Sequence, residues 1–132
     1  MLADEMIALV ERYFSGVDGQ DFDIIRETLT EDCVFTVETH GVELQGLDEI
    51  AGMFKRLWSY HRSVRHEEFV HVPAPDTQHI ASRFMVVNSR NDGGIGYKSN
   101  CNFFEIQSGK FSRISVYMAG ENTLDRAGQD FK

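Results

Sequence analysis

The sequence predicts an α+β domain in which three helices pack against a strongly curved antiparallel sheet that encloses one apolar pocket. Two patterns carry that prediction. Apolar residues recur at helical spacing through the first sixty positions, and from residue 64 onward the period changes to two. Helices first and a meander afterwards indicate segregated layers rather than a doubly wound parallel sheet. A short sheet covers three amphipathic helices only if it curls around them, which makes a cone with a pocket inside. The chain's 132 residues are close to the commonest single-domain size, and one domain over 1–132 is expected, with its ordered core at about 4–122.

Taken in order, Met6, Ile7, Val10, Tyr13, Phe14 and Val17 form one stripe of a first helix, which Asp4 can cap and Gly16 to Gly19 end. A shorter helix after Asp21 places Phe22, Ile25 and Leu29 on one face. The segment CVFTVE, 33–38, is rich in β-branched and aromatic residues and reads as a strand. Leu47, Ile50, Ala51, Phe54, Leu57 and Trp58 then define a third helix, with Asp48 and Glu49 favouring its N-terminal end. Strands follow at 64–72, 79–88, 97–106 and 111–118, separated by PAPDT, RNDGGIG and QSGK. Short connections of that kind require antiparallel neighbours. The tail after Thr123 is polar and is expected to fray.

Composition narrows the function classes. Thirteen basic against 21 acidic side chains give a net charge of −8, with no Lys/Arg cluster to release counterions from a phosphate backbone. Nucleic acid and anionic membrane surfaces are therefore not expected partners. No stretch approaches the roughly 20 apolar residues of a membrane span. The start, MLADEMIALVERYF, lacks the basic and continuous apolar segments of a signal peptide, so a cytoplasmic location is expected. Cys33 and Cys101 have no paired spacing and read as reduced thiols. No histidine pair has the spacing of a compact metal site, and neither a metal nor another cofactor is expected.

The order of elements resembles the nuclear transport factor 2-like superfamily, in particular its SnoaL-like and ketosteroid isomerase-like branches. ERYF at 11–14, LTEDCVF at 29–35, GVELQGLDEIAGMF at 41–54, SVRHEEF at 63–69 and FSRISVYMAGENTL at 111–124 carry the likeness, which spans about residues 4–122. The resemblance implies a cone-shaped fold, usually dimeric, with one hydrophobic pocket per subunit. Its members include isomerases, dehydratases, polyketide cyclases, epoxide hydrolases and proteins with no chemistry, so the fold alone licenses no activity.

His66 is the first candidate for chemistry. Period two puts Val64, His66, Glu68, Val70 and Val72 on the face expected to line the interior, and Arg65, Glu67, Phe69 and His71 on the other. A histidine in a dry pocket can move a proton near neutral pH. Its position also resembles one where dehydratase-like and cyclase-like members carry a histidine. The alternative is a structural histidine bonded to Glu68 or to backbone. Tyr13, in ERYF, resembles the oxyanion-stabilising tyrosine of ketosteroid isomerases, or is an amphipathic core residue. Asn102 shares a strand face with Lys98, Asn100, Phe104 and Ile106. It resembles the place of those isomerases' protonated aspartate, unless that face is exposed or lies in a dimer interface. Phe35, Val37, Phe54, Trp58 and Met118 are expected to shape the pocket.

One departure from the isomerase pattern stands out. Their catalytic aspartate corresponds to Val37, and Glu38 could replace it only if a bulge turned the strand. Two functions therefore stay open. One is a cofactor-independent lyase or isomerase of a small apolar carbonyl or hydroxy compound, with His66 moving the proton and Tyr13 and Asn102 stabilising an oxyanion. The other is a non-catalytic module that binds an apolar ligand or dimerises through its sheet. A trafficking role, like that of the superfamily's name-giver, fits the residues least.

Overall fold

The computed structural model describes residues 1–120 and Leu124. The expectation for the chain after Thr123 lies outside these residues, apart from Leu124. Among the described residues three α-helices and six strands follow one another as α1 (Ala3–Asp18), α2 (Phe22–Glu27), β1 (Leu29–Val37), β2 (Val42–Gln45), α3 (Gly46–Tyr60), β3 (His61–Ala74), β4 (His79–Arg90), β5 (Ile95–Gln107) and β6 (Lys110–Tyr117). The strands form one curved, unclosed sheet in the order β2-β1-β6-β5-β4-β3. The meander β3 to β6 is antiparallel throughout, while β1 lies parallel to β6 and carries the short edge strand β2.

Local chemistry sets the helix ends. The first turn of α1 is closed by the Leu2 backbone N–H donating to Glu5, with Asp4 one position inside the helix rather than at its cap. Asp21 caps α2 by accepting from the backbone N–H groups of Asp23 and Ile24. Gly16, in the last turns of α1, faces α2, and a Cβ added there would lie 2.8 Å from the Ile25 side chain. The close approach of the two helices therefore depends on that glycine.

The core lies between the helices and the concave face of the sheet. Met6, Val10, Tyr13, Phe14 and Val17 contribute the stripe of α1, and Ile50, Met53, Phe54 and Leu57 that of α3. Tyr13 sits at the centre of the aromatic packing, with ring centroids at 4.9 Å from Phe14, 5.9 Å from Phe104 and 6.0 Å from Phe111, all edge to face. Edge-to-face pairs add about 0.5–1.5 kcal/mol each beyond area burial.

Strand β3 departs from the simple alternation read in the sequence. Glu68 adopts φ +57° and the register with β4 shifts between Glu67 and Val70. A one-residue bulge exchanges the faces of everything beyond it. Val64 and His66 face inward as expected, but Val70 and Val72 are 46% and 63% exposed on the outer face. Phe69 and His71 turn inward instead: Phe69 packs on Phe14 at 5.2 Å, and His71 Nδ1 lies 2.7 Å from the hydroxyl of fully buried Ser82.

No helix among the described residues is long and apolar enough to cross a membrane.

Candidate functional site

A cleft opens on the concave side of the sheet, with about 430 Å³ of empty space including the part open to solvent. Its walls are apolar: Phe14 and Val17 of α1, Phe35 of β1, Phe54 and Leu57 of α3, and Phe84 and Val86 of β4 all line it. Among the described residues five polar ones break that lining, namely Tyr13, His66, Asn88, Asn100 and Asn102. Neither a Lys, an Arg, an Asp nor a Glu is among the described lining residues.

Of the residues expected from the sequence, Tyr13, His66 and Asn102 all border this one cleft, as do Phe35, Phe54 and Met118. Two expected wall residues do not. Val37 is fully buried in the core, its neighbours set by pairing with Val42 and Val116. Trp58 stacks on Phe54 at 5.7 Å and turns its indole away, donating Nε1–H to the Val17 carbonyl at 3.1 Å. That bond satisfies a carbonyl of the last turn of α1. Glu38 does not replace the missing carboxylate of β1. The strand ends at Val37, and Glu38 is held by the Thr36 hydroxyl and by Arg113 at 3.6 Å.

His66 is held from behind by a residue that the sequence did not single out. Asp18, the last residue of α1, accepts the His66 backbone N–H on Oδ2 at 2.8 Å and engages ring Nδ1 through Oδ1 at 2.5 Å. A carboxylate can only accept, so the neutral ring must carry its proton on Nδ1, leaving Nε2 as the basic nitrogen. The ring is wedged between Phe14, 4.5 Å away, and Phe84, 5.2 Å away, and its side chain is 9% exposed. An acid at the C-terminus of a helix is opposed by the helix dipole, at a cost of about 0.3–1 kcal/mol. Placing Asp18 there makes sense through its partner, 48 residues away in sequence.

Tyr13 is 2% exposed, and burial, with a smaller contribution from the neighbouring Cys33, pushes its phenol well above its ordinary pKa of 10. It is therefore a protonated donor throughout the neutral range. The asparagines are buried as well: Asn88 is 4% exposed, Asn100 7% and Asn102 3%. Asn100 accepts the Ala119 backbone N–H at 3.1 Å, whereas the Oδ1 atoms of Asn88 and Asn102 are buried without a hydrogen-bond partner. Asn88, on β4, was also missed from sequence. It stood as the last residue of the strand expected at 79–88 and was given no role there.

Beyond the cleft, His61 caps α3 through Nδ1 to the Leu57 carbonyl at 2.8 Å, and His79 lies 3.8 Å from Glu105. Among the described residues no three His, Cys, Asp or Glu side chains gather as a group that could hold a metal ion.

A family model described as a SnoaL-like domain matches residues 10–114. No curated protein matches the chain by sequence. Solved structures match by fold. A provisionally named polyketide cyclase from Xanthomonas campestris pv. campestris superposes with a TM-score of 0.81 at 17% identity, covering 87% of this chain and 90% of its own. An NTF2-like protein of unknown function from Exiguobacterium gives 0.74 at 17% identity, with 84% and 98% coverage. A protein of ketosteroid isomerase-like fold from Catenulispora acidiphila, in complex with trimethylamine, gives 0.77 at 11% identity, with 92% and 93% coverage. At such identities the likeness is one of fold.

Proposed function

The chain belongs to the SnoaL-like family, and from that premise we propose that it is a cofactor-independent acid–base enzyme, a lyase or isomerase of a small apolar carbonyl or hydroxy compound. The observation that carries this reading is the His66–Asp18 pair at the wall of an apolar cleft. Asp18 fixes the tautomer that leaves Nε2 free to take a proton, and steadies the imidazolium that forms. Tyr13 and the amide N–H groups of Asn100 and Asn102 are the donors available to charge developing on a substrate oxygen. The sequence of events is removal of a C–H proton next to a carbonyl, enolate stabilisation, then return of the proton to a neighbouring atom or loss of a hydroxide as water. The polyketide-cyclase name of the Xanthomonas relative is compatible with such enolate chemistry.

Exchange of the α-protons of 2-tetralone with D2O, followed by NMR, tests this directly. The wild type should accelerate exchange over buffer, and His66→Gln should slow it by about 10²–10⁴. Unchanged exchange in His66→Gln would refute the assignment.

A second reading, a non-catalytic binding or dimerisation module, draws support from the absent carboxylate at the end of β1. Dimerisation belongs to either reading. The outer sheet face exposes Val70, Val72, Phe103 and Tyr117, and the strand register sets them in adjacent rows. We assign that face to a second copy of the chain.

A further inference from the structure

Beyond its bulge, strand β3 turns His71 inward at the head of a polar row that crosses the concave face. His71 stands opposite Ser82 of β4, and Ser82 opposite Asn102 of β5. Ile80 and Phe104 flank this row on one side and Phe84 on the other, two residues away along each strand. Ser82 is fully buried, and its hydroxyl lies 2.7 Å from His71 Nδ1. On either side of it an atom is left over. His71 Nε2 and Asn102 Oδ1 are both sealed from solvent without a hydrogen-bond partner. Most such atoms in folded proteins find one. Neither water nor a ligand reaches a sealed oxygen, so Asn102 Oδ1 has to be satisfied from within the protein. Ser82 is the hydroxyl directly opposite, at the Cβ spacing of about 4.5–5.5 Å that cross-strand pairs have.

A hydroxyl has one proton to donate and can accept as well, so Ser82 can serve both neighbours in one of two directions. In the first, His71 Nδ1 carries a proton and donates to the Ser82 oxygen. The Ser82 proton is then free to turn to Asn102 Oδ1, and the NH2 of Asn102 is left to the cleft that this residue borders. In the second, Nδ1 is bare and takes the Ser82 proton. Asn102 then finds only an acceptor beside it, and its amide gains by a half-turn that offers NH2 to Ser82 and the oxygen to the cleft. A protonated ring carries a hydrogen on both nitrogens, which leaves the first direction alone.

The surroundings of the ring suit it to that control. From α1, Glu11 favours the cation, against the larger effect of burial, which lowers the pKa below its ordinary 6.5. From β4 the ring meets neutral Ser82, while Arg83 belongs to the outer face. On its own strand Phe69 stacks on it at 5.3 Å, and Glu68 is exposed. The His66–Asp18 pair lies beyond two further rings, with Phe69 on Phe14 at 5.2 Å and Phe14 on His66 at 4.5 Å. We propose that His71 and Ser82 are positioning residues for Asn102, and that the proton on His71 decides which end of the Asn102 amide faces the cleft. A cationic His71 commits Asn102 to its NH2, the donor end, and a neutral ring lets the amide turn. This rests on the reading of Asn102 as a donor to the reacting oxygen, and it adds a regulation of that site by pH.

The test is a titration of the intact, ligand-free protein between pH 7.5 and 5 by NMR. Long-range 1H–15N correlation follows the His71 ring, and the side-chain 1H–15N signals follow the Asn102 amide. In the wild type the Asn102 signals should move with the midpoint of His71. His71→Phe keeps a ring on Phe69 and removes the titrating group, so the Asn102 signals should then stay flat. Ser82→Ala keeps the charge on His71 and removes the hydroxyl. The ring should still titrate there, and Asn102 should no longer follow it. That variant separates a relayed proton from a field acting through space, which needs no hydroxyl. Asn102 signals that stay flat while His71 titrates in the wild type would overturn the inference, and this measurement needs no variant to fold. Signals that still move in His71→Phe trace to another group, His66 included, and overturn it as well. So does coupling that survives in Ser82→Ala. No substrate enters these titrations, and the acid–base reading is judged separately by α-proton exchange, so either can fail without the other.

Discussion

The neutral His66 ring is useful as a base only if its proton sits on Nδ1, and Asp18 is what puts it there. Asp18→Asn replaces an acceptor with a group that can also donate, so the wrong tautomer becomes available. Exchange activity should fall by about 100-fold or more, with little loss of fold. Cys33 illustrates the opposite case, a thiol made inert by its surroundings. Burial, and after it the nearby Asp32 charge, push its pKa up to about 12. In native protein, iodoacetamide at pH 8 should leave Cys33 unmodified until the chain is unfolded. His71 gives a pH dependence to stability. Burial lowers its pKa below the ordinary 6.5, against the raising influence of Glu11. The unfolded chain therefore binds the proton more readily than the native one. Stability should be highest above about pH 6.5 and fall as pH drops from there through the lower native value. Urea midpoints measured between pH 7.5 and 5 should show that slope, and His71→Asn should flatten it.

At the scale of elements, the cleft is held open by contacts that the helical pattern could not announce. The indole of Trp58 ties α3 to the end of α1 one residue before Asp18. Trp58→Phe keeps the ring stack but loses that bond, and should cost about 0.5–1.5 kcal/mol in a denaturant melt. It should also loosen Asp18 and lower exchange activity beyond what the stability loss explains. The strands and helices themselves were legible in the sequence, because each has a clear period and strong turn residues at its ends. The short edge strand β2 was not, since its four residues are too few to establish a period. The bulge at Glu68 was invisible for another reason. Glutamate at positive φ carries no sequence signature, yet this one residue exchanges the faces of Phe69, Val70, His71 and Val72. Asp18 and Trp58 likewise took their places through partners 48 and 41 residues away, which no local pattern encodes.

For the molecule as a whole, family and cone were readable because they rest on the order and spacing of many residues. The candidate site was readable in part: His66, Tyr13 and Asn102 lie on faces that periodicity assigns correctly. Their shared cleft, and the acid behind the histidine, are products of tertiary closure. The outer face makes its own prediction. A row of Val72, Ala81, Phe103 and Ser115 lies beside one of Val70, Arg83, Cys101 and Tyr117. Phe103 and Tyr117 are 40% and 46% exposed there. The chain should sediment as a dimer at micromolar concentration, and Phe103→Glu combined with Tyr117→Glu should return it to a monomer of unchanged circular dichroism. A wild-type monomer at all accessible concentrations would refute the interface.

The most direct test of the acid–base account is the protonation pattern of His66, read by long-range 1H–15N correlation on histidine-labelled protein at pH 7.5. The account predicts a neutral ring protonated on Nδ1, a basic Nε2 that responds when a ligand enters the cleft, and loss of the pattern in Asp18→Asn. A ring protonated on Nε2, or one indifferent to Asp18→Asn, would contradict it.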